Sequence, residues 1–262
     1  ALNKMRDINY LVAINTRLIA ESAWGHDNPQ LFEMVVKFFN TYLRSAINAH
    51  DIRTAYNVLN QYRSVAEESI RHDPSGARAV EIAKYFKYYG LLSFNAKLPF
   101  ILETVAYDMC SLIEFAFDAK CPATSQLLRI FLQVDKESEN ETQETALRGV
   151  RKAQLKLASY FLVCGDERLA RDVFRDMRDE RPERLASIRD ELLAVESREF
   201  WEVSDRGENF DYLTPERKEM LLTFFEWFGD KLPPPRTTWV PTTLKIPVPA
   251  DAGSMRPPTH AE

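Results

Sequence analysis

The sequence predicts an all-α fold, with antiparallel helical hairpins stacked as a repeat array or packed as an irregular helical bundle. Apolar residues recur at helical spacing as far as Gly229. The chain has eight glycines, too few for a fold built from many tight β-hairpins. Eight of the fourteen prolines lie between Pro233 and Pro258, so the body of the chain is poor in helix breakers.

Capping and turn signals divide the predicted N-terminal part, residues 1–134, into helices. Asn28-Pro29 is a cap and first-turn pair. The polar run 72–76 has the composition of a turn, and Gly90 and Cys121-Pro122 end the two helices that follow. The successive helices are predicted in the segments 8–19, 29–42, 51–72, 80–89, 100–119 and 123–134.

An acidic connection, residues 135–144, separates this part from a predicted C-terminal part, residues 145–230. The C-terminal part begins with a helical hairpin and continues with a helix from Pro182 to about Glu199. A last helix ends at Gly229, and Thr214-Pro215 marks its start with an N-cap residue and a proline at the first helical position.

Apolar and small residues between Gln154 and Pro182 have the spacing of one helical hairpin. They are Leu157, Ala158 and Phe161 on the first helix, Gly165 and Asp166 at the turn, and Ala170, Phe174 and Met177 on the second helix. Two short helices cross closely where small residues meet, here Ala158 and Ala170. The unit 154–182 resembles a tetratricopeptide repeat, although Gln154 stands where that family usually has Trp. The resemblance implies a scaffold and names no substrate.

A degenerate second copy of this unit lies upstream, at an offset of 115 residues. Five identities within thirteen positions support it: Asp51, Arg53, Ala55, Val58 and Arg63 align with Asp166, Arg168, Ala170, Val173 and Arg178. His50 then replaces the turn residue Gly165, where a left-handed backbone is expected. The alternative is that any amphipathic helix pair with a short turn places such residues there.

The same upstream turn resembles a motif in the soluble part of an uncharacterised family of bacterial multi-pass membrane proteins. The resemblance is carried by Ala46, Ile47, Asn48, Asp51, Thr54, Ala55 and Leu59. It implies the cytoplasmic domain of such a protein, tethered to the membrane through a segment absent from this sequence or through a partner, and it supplies no catalytic residue. The start at Ala1 leaves open a processed chain or a domain of a longer one.

Charge and cysteine content narrow the classes of function. The 39 acidic and 34 basic residues are interleaved and leave a net charge of −5, so no nucleic-acid partner is expected. No run of about 18 apolar residues suggests a membrane span. The three cysteines form no paired framework, which favours a reducing compartment, the cytoplasm. Cys110 and Cys164 are expected inside apolar helical stretches, where a free cysteine behaves as a small hydrophobic residue.

The most enzyme-like pattern lies on the predicted helix 100–119, where Glu103, Tyr107, Cys110 and Glu114 fall on one face. Carboxylates in an apolar setting can have a raised pKa and act as acids or bases. The alternative is the polar edge of a core helix, with both carboxylates paired to Arg or Lys from a neighbouring helix. The sequence offers no second cluster, with a nucleophile or metal ligands, that would complete a site with this face. We therefore assign no catalytic, metal-binding or cofactor-binding residue.

Tyr88 is the first candidate for contact with a partner. The aromatic group Tyr85, Phe86, Tyr88 and Tyr89 covers every side of a helix, so three rings are expected in the core and Tyr88 outside it. The sequence therefore favours a non-catalytic protein-interaction or assembly scaffold that binds a protein or peptide. The alternative is an enzyme or small-ligand sensor that uses the buried carboxylates.

The proline-rich tail, residues 231–262, is the second candidate. Trp239 and Ile246 contribute to an apolar surface that is too large for a solvated linker. We expect the extended stretch 232–249 to pack along the chain's own helices or in a groove of a neighbouring copy, with self-association in the second case. Residues after about Ala250 are expected to be disordered.

Overall fold

The computed structural model describes residues 14–22, 28–134 and 144–178, with isolated helical positions at 12, 186, 189, 222 and 223. Within these ranges the chain forms eight helices and no strand, which confirms the predicted all-α fold. In chain order the helices are α1 (14–22), α2 (Pro29–Asn48), α3 (Ile52–His72), α4 (Ala77–Asn95), α5 (Pro99–Asp118), α6 (Thr124–Phe131), α7 (Glu144–Val163) and α8 (Glu167–Arg178).

The helices pack in the order in which they follow along the chain. Each extensive contact joins helices that are one or two places apart in this order, such as α2 with α3 and α4, or α5 with α3 and α7. Stacked helical hairpins have this pattern because each hairpin buries its apolar face on its neighbours. The described part of the chain therefore fits a helical-repeat arrangement.

Short polar side chains cap three of these helices. Oδ1 of Asn28 accepts a hydrogen bond of 3.1 Å from the amide three residues later. Oδ1 of Asp51 accepts the equivalent bond at 3.1 Å, and Oδ1 of Asp166 accepts it at 3.0 Å. Each cap satisfies an amide that has no carbonyl partner within its own helix. The starts of α2, α3 and α8 are therefore determined locally.

The turns before α3 and α8 share one backbone geometry. His50 has φ of 56° and Gly165 has φ of 79°, so both lie in the left-handed region. In each turn the amide of the next residue, an aspartate, donates a bond of 2.9 Å to the carbonyl oxygen five residues earlier. This helix ending ordinarily selects glycine. The expected left-handed backbone at His50 is confirmed, and Lys97 and Lys120 adopt it too, with φ of 57° and 53°.

The core is centred on α5, which packs against α3, α4, α6 and α7. A run of aromatic rings crosses the layer formed by α2, α3 and α4. Phe39 stacks on Tyr62 with a centroid separation of 5.0 Å, and Tyr62 meets Phe86 edge-on at 5.3 Å. All three rings are fully buried, so α2 and α4 are held at a fixed separation over α3.

All three cysteines are free thiols. Cys110 and Cys121 are buried, whereas Cys164 is exposed and lies in a turn, so the expectation that Cys164 is inside an apolar helical stretch was wrong. The reason is local: α7 ends at Val163, and Cys164 begins the turn to α8 instead of continuing the apolar face of the helix.

The helices predicted at 182–199 and 214–229 and the tail 231–262 lie outside the described residues, apart from the isolated positions. One of these positions, Leu222, packs against the core. The division into an N-terminal and a C-terminal part stays a prediction, and α7 packs on α5 across it. Within the described ranges, no helix combines the length and the apolar content that crossing a bilayer requires.

Candidate functional site

An open groove with a volume of about 560 Å³ runs between α2 and α4. Side chains of both helices line it: Asn40, Thr41 and Arg44 from α2, and Glu81, Lys84, Tyr85, Tyr88 and Tyr89 from α4. A groove of this size can receive a small ligand or a few residues of an extended peptide. Because both walls are regular helices over a packed core, the site is largely pre-formed.

The aromatic segment of α4 supplies most of the apolar surface of the groove. Phe86 and Tyr89 are buried, Tyr85 is half-buried, and Tyr88 is 43% exposed. Helix geometry separates them because residues three or four apart share a face while adjacent residues point apart. The expected outward position of Tyr88 is confirmed, and its role in binding a partner stays a prediction.

Tyr89 joins the two walls of the groove. Its hydroxyl lies 2.9 Å from both the carbonyl oxygen and Oδ1 of Asn40, and it donates its proton toward these two acceptors. The ring also meets that of Tyr88 edge-on at 5.3 Å. Burial is the main reason why the pKa of Tyr89 is raised, so the hydroxyl stays protonated and remains a donor. Tyr89 thus acts as a structural tie beneath the exposed Tyr88.

Three charged side chains edge the groove. Arg44 and Lys84 are basic, Glu81 is acidic, and all three are exposed. No ion pair is formed by any of the three within the described part of the chain. They are therefore available for charges on an incoming molecule. The residues of α2 that line the groove were not identified from the sequence. The packing of the two helices determines which face of α2 is turned toward α4.

The predicted polar face of α5 does not border this groove. It packs against α7: the thiol of Cys110 donates a hydrogen bond of 3.1 Å to the carbonyl oxygen of Ala153. Burial, and after it the charge of Glu114, raise the pKa of this thiol well above its usual value. The thiol is therefore protonated and inert as a nucleophile at neutral pH.

The carboxylates on this face also contact α7. Oε2 of Glu114 lies 3.7 Å from Nζ of Lys156, and this ammonium is 5.9 Å from the ring centroid of Tyr107. Glu103 lies against Gly149, so closely that a Cβ at position 149 would be 2.9 Å from Cβ of Glu103. The structure thus brings Glu103, Tyr107 and Glu114 together at a helix–helix contact.

A third carboxylate on α5 was not singled out from the sequence. Asp108 is buried, and its Oδ1 lies 3.5 Å from Nε of Arg63 on α3. The same guanidinium is 3.7 Å from Glu67. Burial raises the pKa of Asp108 to about 7, although Arg63 acts in the opposite direction. The available signal was an aspartate inside the most apolar stretch of the sequence, but its partner could not be inferred from spacing.

In the described ranges, no group of three or more His, Cys, Asp or Glu side chains is arranged to hold a metal ion. Trp239 and Ile246 lie outside those ranges. Comparison of the chain with protein-family models, with curated proteins and with solved structures gave no match.

Proposed function

We propose that this protein is a non-catalytic protein-interaction or assembly scaffold, built from tetratricopeptide-like hairpins, that binds an extended peptide segment in the groove between α2 and α4. The observation that carries the proposal is the combination of Tyr85, Tyr88 and Tyr89 with unpaired charges in one groove of about 560 Å³. Protein-binding surfaces are enriched in tyrosine and arginine, which combine large apolar area with polar tips.

The rigid packing of the helices that form the groove supports this proposal. Tyr89 ties α4 to α2 through Asn40, and the buried rings of Phe39, Tyr62 and Phe86 lie in the layer that carries both helices. A rigid site loses little conformational entropy when a peptide binds. Tyr88 needs no rearrangement to reach a partner because it is already exposed.

The alternative, an enzyme or ligand sensor based on Glu103, Tyr107 and Glu114, has less support. Glu114 is close to Lys156, and Glu103 is pressed against Gly149 in the contact between α5 and α7. Both contacts favour a structural role for these carboxylates, since a substrate would have to separate two packed helices to reach them.

We also propose that the scaffold works in a reducing compartment, the cytoplasm. The three free thiols, two of them buried, agree with this location. Attachment to a membrane would require a segment absent from this sequence or a partner protein.

The test is selection of binders from a phage-displayed library of random peptides on the immobilised chain. Selected peptides are synthesised, and their affinities are measured by fluorescence anisotropy for the wild type and two variants. Tyr88→Ala removes the exposed ring from the groove. Val163→Ala is the matched control, because Val163 is a similarly exposed apolar residue, at 51%, that does not line the groove.

We expect Tyr88→Ala to weaken binding roughly tenfold, as truncation of an aromatic contact residue commonly does, and Val163→Ala to leave it unchanged. Failure to enrich any peptide would contradict the proposal if it also occurred with Trp239→Ala, which weakens any docking of the chain's own tail. So would selected peptides whose affinity is equal for both variants and the wild type, because they would bind elsewhere on the chain.

A further inference from the structure

We propose that the peptide bound in this groove is the chain's own proline-rich segment, residues 232–249. This inference rests on the proposed function, a groove that takes an extended peptide, and it names the occupant. The segment lies outside the described residues, whereas both walls of the groove are described.

The groove offers the chemistry that extended proline-rich chains require. Proline rings pack on flat aromatic faces, and Tyr85 and Tyr88 present such faces one helical turn apart. A polyproline II backbone makes no internal hydrogen bonds, so its carbonyl oxygens need external donors. The hydroxyls of Tyr85 and Tyr88 lie along the same walls and can supply them.

The segment 232–249 is the part of the chain that matches this groove. Six of its residues are prolines, whereas the six prolines that precede it occur singly along the rest of the chain. It also carries Trp239, whose indole is the largest apolar group available to fill the groove. Proline holds such a segment extended before it binds, which lowers the entropy lost on docking.

The segment follows shortly after a residue that packs on the core. Leu222 packs against the core, and nine residues separate it from Leu232. With the predicted helix ending at Gly229, seven of these residues rise about 1.5 Å each and the last three steps to Leu232 add about 3.5 Å each, so the connection spans roughly 20 Å. A short tether gives an effective concentration in the millimolar range where it spans the distance between its end and the site, so within this reach even weak contacts keep the groove occupied by the same chain.

We expect charge to affect the orientation of the docked segment more than the affinity of docking. Its two charged residues, Arg236 and Lys245, are both basic. Glu81 is the acidic residue among those that line the groove, so we expect Arg236, directly after three prolines, to lie beside it. Arg44 and Lys84 oppose further positive charge. Docking should therefore depend weakly on salt, whereas an acidic partner would be displaced by salt.

The experiment uses the full chain with p-benzoylphenylalanine in place of Trp239. After irradiation, proteolysis and mass spectrometry identify the cross-linked peptides. We expect cross-links to the peptides that contain Asn40 to Arg44 or Glu81 to Tyr89. The same photoreactive residue in place of His260, in the stretch expected to be disordered, measures the background. Adding Tyr88→Ala should reduce the specific cross-links to that background, and adding Val163→Ala should not.

Mixing chains labelled with ¹⁵N and unlabelled chains separates the two possible origins of a cross-link. Products within one chain support the proposal, and mixed-label products overturn it in favour of exchange between copies. Cross-links that avoid α2 and α4, or that equal the background, also overturn it. In that event peptides from the library that still bind through Tyr88 would leave the proposed function intact. If the inference holds, these peptides bind the Trp239→Ala variant more tightly than the wild type.

Discussion

The carboxylate of Asp108 on α5 is buried and lies 3.5 Å from the guanidinium of the half-buried Arg63 on α3, where these two helices pack. The groups that act on the carboxylate are Arg63 and Glu67 from α3 and Lys156 from α7. Burial outweighs the attraction of the two cations, so the pKa of Asp108 is raised to about 7. A buried carboxylate with a half-buried cation beside it makes the stability of a fold depend on pH more readily than it adds net stability.

The first prediction is that Asp108→Asn changes how stability depends on pH. In the unfolded chain this carboxyl titrates near 3.8, whereas in the folded chain its pKa is about 7. Between these values the folded state holds a proton that the unfolded state has lost, so the contribution of Asp108 to the free energy of unfolding falls as pH rises. Asparagine does not titrate. As pH rises from about 4 to 8, the free energy of unfolding of the variant should therefore increase relative to that of the wild type, by at most about 4 kcal/mol.

Urea unfolding of both proteins across this pH range measures the difference. Glu167→Gln, which removes an exposed carboxylate from α8, is the control for a change of charge alone. A pH dependence of the same size in this control would mean that the loss of one negative charge, and not the buried carboxyl, causes the effect. Parallel curves for Asp108→Asn and the wild type would show that the carboxyl has an ordinary pKa in the folded state.

The second prediction concerns the close approach of α5 and α7. Gly149→Ala should lower the free energy of unfolding by about 1–3 kcal/mol. The higher helix propensity of alanine contributes about 1 kcal/mol of stability, but the clash with Glu103 costs more than this. The new Cβ would lie 2.9 Å from both Cβ and Cγ of Glu103, so the backbones of the two helices must separate. Gly90→Ala is the matched control within a helix, because the nearest atom there is a valine methyl at 3.1 Å, which can move aside.

Thermal and urea unfolding of the two alanine variants provide the measurement. Combining Gly149→Ala with Glu103→Ala removes two of the three clashing atoms and should restore part of the lost stability. An unchanged or higher stability of Gly149→Ala alone would mean that the two helices are not in close contact at this point.

The third prediction concerns the left-handed residues of the two equivalent turns. His50→Gly should raise the free energy of unfolding by about 0.5–1 kcal/mol. Glycine removes the strain of the left-handed backbone, and part of this gain is lost because the substitution makes the unfolded chain more flexible. Gly165→Ala should lower it by about 1 kcal/mol. No heavy atom lies within 4 Å of a Cβ at position 165, so backbone strain alone is tested there.

Urea midpoints with unchanged m-values check both substitutions. The ring of His50 is exposed and its Nδ1 is 3.4 Å from the carbonyl oxygen of Asn48, a contact too weak to offset the strain. A lower stability of His50→Gly would therefore contradict a strained backbone at this position.

Local features of the structure could be predicted from the sequence, and contacts between distant segments could not. The cap at Asn28, the left-handed turn at His50 and the outward position of Tyr88 each depend on a few neighbouring residues, and helix geometry determines them. The contact of Asp108 with Arg63 depends instead on which face of α5 meets α3. The groove likewise depends on the distance between α2 and α4, and no pattern of residue spacing in the sequence encodes this distance.

The same distinction explains the outcome for the polar face of α5. Periodicity correctly grouped Glu103, Tyr107, Cys110 and Glu114 on one side of a helix. It could not say whether a pocket or another helix lies opposite, because α7 follows only after α6 and the acidic connection. The chemistry expected of such a face changes with that answer, since carboxylates against a helix stabilise packing whereas carboxylates in a pocket can act on a ligand.

The last prediction separates stability from binding at two adjacent tyrosines. Tyr89→Phe removes the hydroxyl that contacts Asn40 and should lower the free energy of unfolding by about 1 kcal/mol, the usual net value of one hydrogen bond. Because the phenylalanine ring keeps the shape of the groove, binding of a selected peptide should change less than threefold, roughly the effect of 0.6 kcal/mol.

Tyr88→Ala should have the opposite profile. Its side chain is 43% exposed, so stability should fall by less than about 0.5 kcal/mol, the range typical of surface positions, while peptide affinity falls roughly tenfold. Urea unfolding and fluorescence anisotropy on the same protein preparations measure the two effects. If both variants lost stability and affinity in equal proportion, Tyr88 would be a structural residue like Tyr89, and the groove would lack the exposed aromatic contact on which the proposed function depends.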